Sequence, residues 1–119
     1  LGSRYRFVLT NAQAEWQVTH CQKISAATGA VIQPTTLRQF LWLCANAEAV
    51  LSVDGAASHL AAAFGVKCFT VFGPTILVHW HRPAPDQIAF QAPLNEDGVR
   101  SLRKLESGPV IEALAALGL

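Results

Sequence analysis

The chain has 119 residues, 51% of them hydrophobic and 14% charged, with a net charge of +1. This balance excludes a disordered chain, which needs low hydrophobicity and high charge, and the few scattered basic residues exclude a nucleic-acid footprint. No apolar run reaches the length of a membrane span, and "LGSRYRF" lacks the apolar stretch of a secretory signal.

In chain order, "RYRFVLTN" (4–11) is β-leaning, and "AEWQVTHCQKISAATG" predicts a helix from about Glu15 to Thr28. Trp16, Cys21, Ile24 and Ala27 fall roughly on one face of it, and Gly29 is a natural stop. A brief strand over 30–34 ends at Pro34. Thr36 and Gln39 then form a capping-box pattern. After it Leu37, Phe40, Leu41, Cys44 and Ala47 recur at helical spacing.

"AVLSVD" (49–54) is nearly continuous apolar, as expected of a strand buried on both faces. "ASHLAAAFG" predicts a short helix closed by Gly65, and "KCFTVFG" (67–73) a second buried strand. "PTILVHWHRPAPD" reads as a loop rich in proline, and "QIAFQAP" as an edge strand. "NEDGVRSLRKLE" predicts a helix with an Asn cap and an acidic first turn, interrupted by Gly98. "GPVIEALAALGL" predicts a last helix with Pro109 at its first position and Gly118 near its end.

Strands alternating with helices imply one α/β domain, a Rossmann-like three-layer α/β/α arrangement on a parallel sheet with right-handed crossovers. Cys21, Cys44 and Cys68 are odd in number and widely spaced, without metal-ligand spacing. They read as small buried hydrophobes of a reducing compartment. The absence of methionine suggests a chain that begins downstream of an initiator, a fragment or processed product.

In an open parallel sheet a ligand binds beyond the carboxyl ends of the strands. That rule selects residues 11–14, 34–36, 54–59 and 73–75. At the third place Gly55, Ala56 and Ala57 have almost no side chain. Backbone N–H groups at the start of the next helix can therefore face a phosphate. Gly55 also permits a sharp turn. Asp54 suits sugar hydroxyls rather than phosphates, and it also suits a helix N-cap. His59 in the first turn opposes the helix dipole as a cation unless an anion is present; it reads as a phosphate donor or as a junction histidine bonded to backbone. Gly73, Pro74 and Thr75 end the next strand, as part of a site or as an ordinary Gly-Pro turn. Trp80, flanked by His79, His81 and Arg82, is placed either to contact a ligand or simply to fold over the sheet. The H-x-H pair lacks a completing carboxylate or thiol, so no metal site is expected.

Over "SVDGAASHLAAAFGVKCFTVFGPT" (52–75) the chain resembles glycosyltransferase family 9, the ADP-heptose:lipopolysaccharide heptosyltransferase family. Asp54, Gly55, Ser58, His59, Leu60, Ala61 to Ala63 and Gly65 fit the family pattern D-[TSG]-G-x-x-H-[LI]-A-A-A-x-G-x-P. Phe72, Gly73, Pro74 and Thr75 fit the strand end that follows, and Trp80 the downstream aromatic. Ala56 stands where the family usually has the second turn glycine, and Lys67 where it usually has proline.

The resemblance implies the C-terminal, nucleotide-sugar-binding half of a GT-B enzyme. The acceptor-binding N-terminal half, with the general base, would lie outside this chain. It implies inverting, metal-independent transfer of a sugar, with ADP-heptose as donor, to a lipopolysaccharide-core acceptor. No cofactor is implied, and the location is the cytoplasm or the cytoplasmic face of the inner membrane. Asp54–His59 would hold the donor's diphosphate and sugar, His59 would stabilise the leaving group, and Glu15 is a candidate for the nucleoside contact. Two other readings stay open: a stand-alone nucleotide-binding or interaction module without catalysis, and another GT-B-like enzyme such as a sugar-nucleotide epimerase.

Overall fold

A computed structural model of the chain describes residues 5–11 and 14–118. Arg4 of the first expected strand, Ala12 and Gln13 of the first strand-end loop, and the terminal Leu119 lie outside those residues. The elements alternate as the sequence predicts: β1 (Val8–Leu9), α1 (Glu15–Thr28), β2 (Val31–Ile32), α2 (Leu37–Asn46), β3 (Ala49–Val53), α3 (Ala56–Phe64), β4 (Lys67–Phe72), α4 (Leu77–Trp80), β5 (Gln87–Gln91) and α5 (Ser107–Ala115). Every paired strand is parallel. The chain is thus an α/β protein of Rossmann-like type, and it divides into two compact units, residues 1–42 and 43–119.

In the first unit β1 pairs with β2, Val8 opposite Val31 and Leu9 opposite Ile32. Helix α1 ends where expected: Gly29 takes a left-handed conformation at φ 72° and donates its N–H to Ser25 O. The expected buried face of α1 does not form. Trp16 is 64% exposed and Ile24 46%, and no residue of α1 is buried. Trp16 and Cys21 are five residues apart, about 140° around a helix of 3.6 residues per turn, so they never shared a face. Trp16 instead stacks edge-on against His20, and Cys21 accepts a hydrogen bond from Asn11 Nδ2. The capping box is present in full. Thr36 N–H donates to Gln39 Oε1 at 2.8 Å, and Gln39 N–H donates to Thr36 Oγ1 at 3.3 Å.

In the second unit the sheet order is β3-β4-β5, with Leu51, Phe69 and Ile88 in one row and Val53, Val71 and Phe90 in the next. Ala61 of α3 packs on Val66 and Cys68, with Ala47 and Val50 beside them. Alternation along β3 therefore sends Leu51 and Val53 to the opposite face. There they remain exposed, so β3 is not buried on both sides as its apolar run suggested; it is one edge strand of this three-stranded sheet, with β5, as expected, the other. Strand β4 is the buried one, as expected: Cys68, Phe69, Thr70 and Phe72 are all nearly inaccessible.

Burial pushes the Cys68 thiol above its usual range, partly offset by hydrogen bonding to Thr70 and Ser52 when ionised. Burial, with Cys68 as a like-charged neighbour, does the same for Cys44. Both cysteines behave as the expected inert hydrophobes. Lys67, at the start of β4, donates from Nζ to Leu117 O and so ties down the chain beyond α5.

Three local expectations change. The Pro-rich loop after β4 contains the short helix α4. No α-helix forms over 95–106: Asn95 Oδ1 accepts from Asp97 N and Val99 N, and Gly98 turns left-handed at φ 73°, closing a tight turn. A single 3-10 turn, Leu102–Lys104, follows. Helix α5 starts at Ser107, so Pro109 lies at its third residue; the first-turn N–H groups have no partner within a helix, which is why proline is tolerated there.

Candidate functional site

Two strand ends of the second unit carry the expected site residues. β3 feeds into Asp54, whose N–H prolongs the ladder by donating to Val71 O at 3.1 Å. Gly55 is the N-cap residue of α3, and no side chain caps it. Asp54 therefore does not serve as the N-cap, and its carboxylate makes no hydrogen bond or ion pair with the described residues. The chain bends at Asp54 and Gly55 as expected, but the bend does not require glycine. The Gly55 backbone is extended, φ 161° and ψ −169°, which any residue can adopt. What its missing side chain supplies is space: a Cβ there would approach nothing nearer than Val53 O at 4.0 Å.

Ala56 and Ala57 are the first two residues of α3. Ala56 is already helical, so its methyl group forces no unusual backbone. Their N–H groups and that of Ser58 have no partner within the helix. The first turn contains no acidic residue, so the positive end of the helix dipole is uncompensated. Ser58 Oγ donates back to Gly55 O at 2.8 Å, which turns that hydroxyl away from the N–H groups.

His59 is the fourth residue of α3 and is exposed. Its ring has no hydrogen-bond partner among the described residues, so the backbone-bonded junction histidine is not observed. It lines a narrow crevice on the α3 side of the sheet with Ser58, Thr70, Trp80, His81 and Arg82. The crevice has room for about one water molecule. His81 is fixed there by an edge-on contact with Phe72, centroids 6.2 Å apart. The histidine–tryptophan–arginine cluster of the loop thus meets the first turns of α3, a convergence that the sequence placed only by proximity along the chain.

The second strand end, Gly73–Thr75, is built differently. Gly73 is buried, and a Cβ there would lie 3.0 Å from Leu102 Cγ. Its bare Cα is therefore packed by another side chain. Pro74 is exposed and Thr75 half-buried. The residue that organises this loop is Gln91, the last of β5, which sequence reasoning missed. Its Nε2 lies 2.9 Å from Gly73 O and 3.2 Å from both Phe72 O and Thr75 O. Its Oε1 accepts the N–H of Leu77, the first residue of α4, at 2.9 Å.

Glu15 opens α1 in the first unit and is exposed; Asp54–His59, Gly73–Thr75 and Trp80 all belong to the second unit. Among the described residues no group of three or more His, Cys, Asp or Glu side chains is disposed to hold a metal ion. No helix among them is long and apolar enough to cross a membrane.

No curated protein and no solved structure matches the chain. The profile described as glycosyltransferase family 9 (heptosyltransferase) matches residues 3–106, which include both strand ends, α3 and the crevice. Parallel β-α-β order, the open strand end Asp54–His59 and a match over most of the length together make this chain a member of glycosyltransferase family 9, the heptosyltransferase family.

Proposed function

We propose that this chain is the donor-binding, C-terminal half of a GT-B glycosyltransferase that passes a sugar from a nucleotide-sugar, ADP-heptose, to a lipopolysaccharide-core acceptor with inversion. The acceptor half and the general base lie on the other domain of the enzyme, at the cytoplasm or the cytoplasmic face of the inner membrane. The observation that supports this reading best is the uncapped start of α3 at the carboxyl end of β3.

The chemistry follows from charge. As the acceptor hydroxyl attacks the anomeric carbon, the bond to the diphosphate breaks and negative charge grows on the leaving group. The N–H groups of Ala56, Ala57 and Ser58, the α3 dipole and a ring N–H of His59 are all suited to hold that charge. No metal ion is required in this scheme. Asp54 accepts hydrogen bonds from sugar hydroxyls, since beside a phosphate its carboxylate would be repulsive. The indole of Trp80, 58% exposed, offers a flat apolar surface to the sugar or base.

Titration of the chain with ADP, followed residue by residue by NMR, tests the reading. Shifts should concentrate in residues 54–59 and 73–80. Shifts scattered elsewhere, or silence at millimolar ADP, would refute it.

A further inference from the structure

We infer that Gln91 is a positioning residue of the donor site: its carboxamide locks the Phe72–Leu77 segment and thereby sets where Thr75 and Trp80 stand. The inference rests on the donor reading above and adds a residue to it.

The geometry is unusually complete for one side chain. A glutamine amide has two N–H donors and one oxygen that accepts. Here the nitrogen faces the three carbonyls of Phe72, Gly73 and Thr75, and the oxygen takes the N–H of Leu77. The flipped amide would set oxygen against three carbonyl oxygens, so the network itself fixes the orientation. These groups need such a partner. Phe72 O still accepts the Ala92 N–H at 2.8 Å, but Gly73 is buried and Thr75 half-buried beyond the end of β4, where ladder bonds stop. Helix α4 has four residues and no side-chain cap, too short to hold itself together. Trp80, the last residue of α4, is therefore placed by the bond at Leu77 together with the His81 contact on Phe72.

The test is the isosteric variant Gln91→Glu, studied beside Gln91→Leu in the whole chain. Ionised glutamate keeps an acceptor for Leu77 but turns three carbonyl contacts repulsive. In the absence of ligand, residues 73–80 should lose NMR order and amide protection in both variants, while α3 keeps its shifts. ADP affinity should fall about tenfold, the scale of leaving buried polar groups unmatched.

Protonation supplies the rescue. Facing carbonyls, the introduced carboxyl titrates above its usual value of about 4.3 and regains an O–H donor when protonated. The affinity of Gln91→Glu relative to the parent should therefore recover on acidification, and that of Gln91→Leu should not. A Gln91→Glu chain with parental order over 73–80, or with no recovery in acid, overturns the inference. Disordered 73–80 with parental ADP affinity overturns its link to the donor. A parent chain that ignores ADP refutes the donor reading, and with it that link, while amide protection over 73–80 still decides whether Gln91 locks the loop.

Discussion

The strand ends after β3 and β4 sit side by side on the same sheet, and each carries a glycine, yet they are built to opposite ends. After β3, Gly55 borders open space, the helix start has no side-chain cap, and the side chains of Asp54 and His59 make no hydrogen bond to the described residues. After β4, Gly73 is packed by Leu102, and its carbonyl and its neighbours' carbonyls are bound by Gln91. Unmatched polar groups are costly unless water or a ligand serves them. The first strand end leaves such groups at the surface; the second consumes its own to become a fixed wall. A glycine in a family pattern can thus mark either access or packing, and only the tertiary neighbours distinguish the two.

Removing the His59 imidazole should produce the largest effect. In the full-length enzyme carrying this chain, His59→Ala should lower turnover about a hundredfold, the scale for losing one preorganised donor to a developing charge. His59 is exposed, so the thermal midpoint should stay at the parental value. Turnover equal to the parent's would remove His59 from the chemistry and leave the open strand end without its distinguishing residue.

The two glycines give the next contrast, at smaller magnitude. Gly73→Ala brings a methyl to 3.0 Å from the branched Cγ of Leu102, and overpacking of this kind should cost about 1 kcal/mol or more. Gly55→Ala should change stability by no more than about 0.5 kcal/mol, because the added methyl meets nothing. Its effect should fall on ligand approach instead, weakening ADP binding about tenfold where Gly73→Ala, measured on folded protein, leaves it closer to parental. Urea unfolding and ADP titration of both variants give the four values; equal stability losses would erase the difference between the two strand ends.

What the sequence made legible follows the range of each interaction. The α3 unit was readable because its determinants are local: an apolar strand, three small residues, an alanine-rich helix, and Gly65, which closes α3 at φ 69° as its position suggested. The capping box of Thr36 and Gln39 and the left-handed stop at Gly29 were readable for the same reason. Gln91 and Leu102 were invisible because they act on Gly73 from 18 and 29 residues away. The mistaken helix over 95–106 had a local signal that charge pattern outweighed: Asn-Glu-Asp-Gly suits an Asx turn, which Asn95 forms with Asp97 and Val99. The buried β3 failed because a continuous apolar run does not distinguish a central strand from an edge.

The smallest effect concerns the sheet that both strand ends share. Cys68 and Cys44 are 1% and 4% exposed, and burial, the leading cause for both, raises their thiols above the unfolded value. The sign follows from linkage. Below the unfolded thiol value of about 8.5 both states hold the proton, and this stabilising contribution is fully present. As pH rises through the folded value, the unfolded chain has already released protons that the folded chain retains, so stability declines. The urea midpoint should therefore fall between about pH 7 and about pH 9.5, and the slope should flatten in Cys44→Ala and Cys68→Ala. Because the cysteines lie behind both strand ends alike, ADP affinity of the protein still folded should not follow that decline. A midpoint constant across this range would mean the thiols ionise as freely in the folded chain as in the unfolded one. A fall in affinity that tracks the cysteine-dependent loss would tie the open strand end to the packing beneath it, and the contrast with Gly73 would then be one of degree rather than of kind.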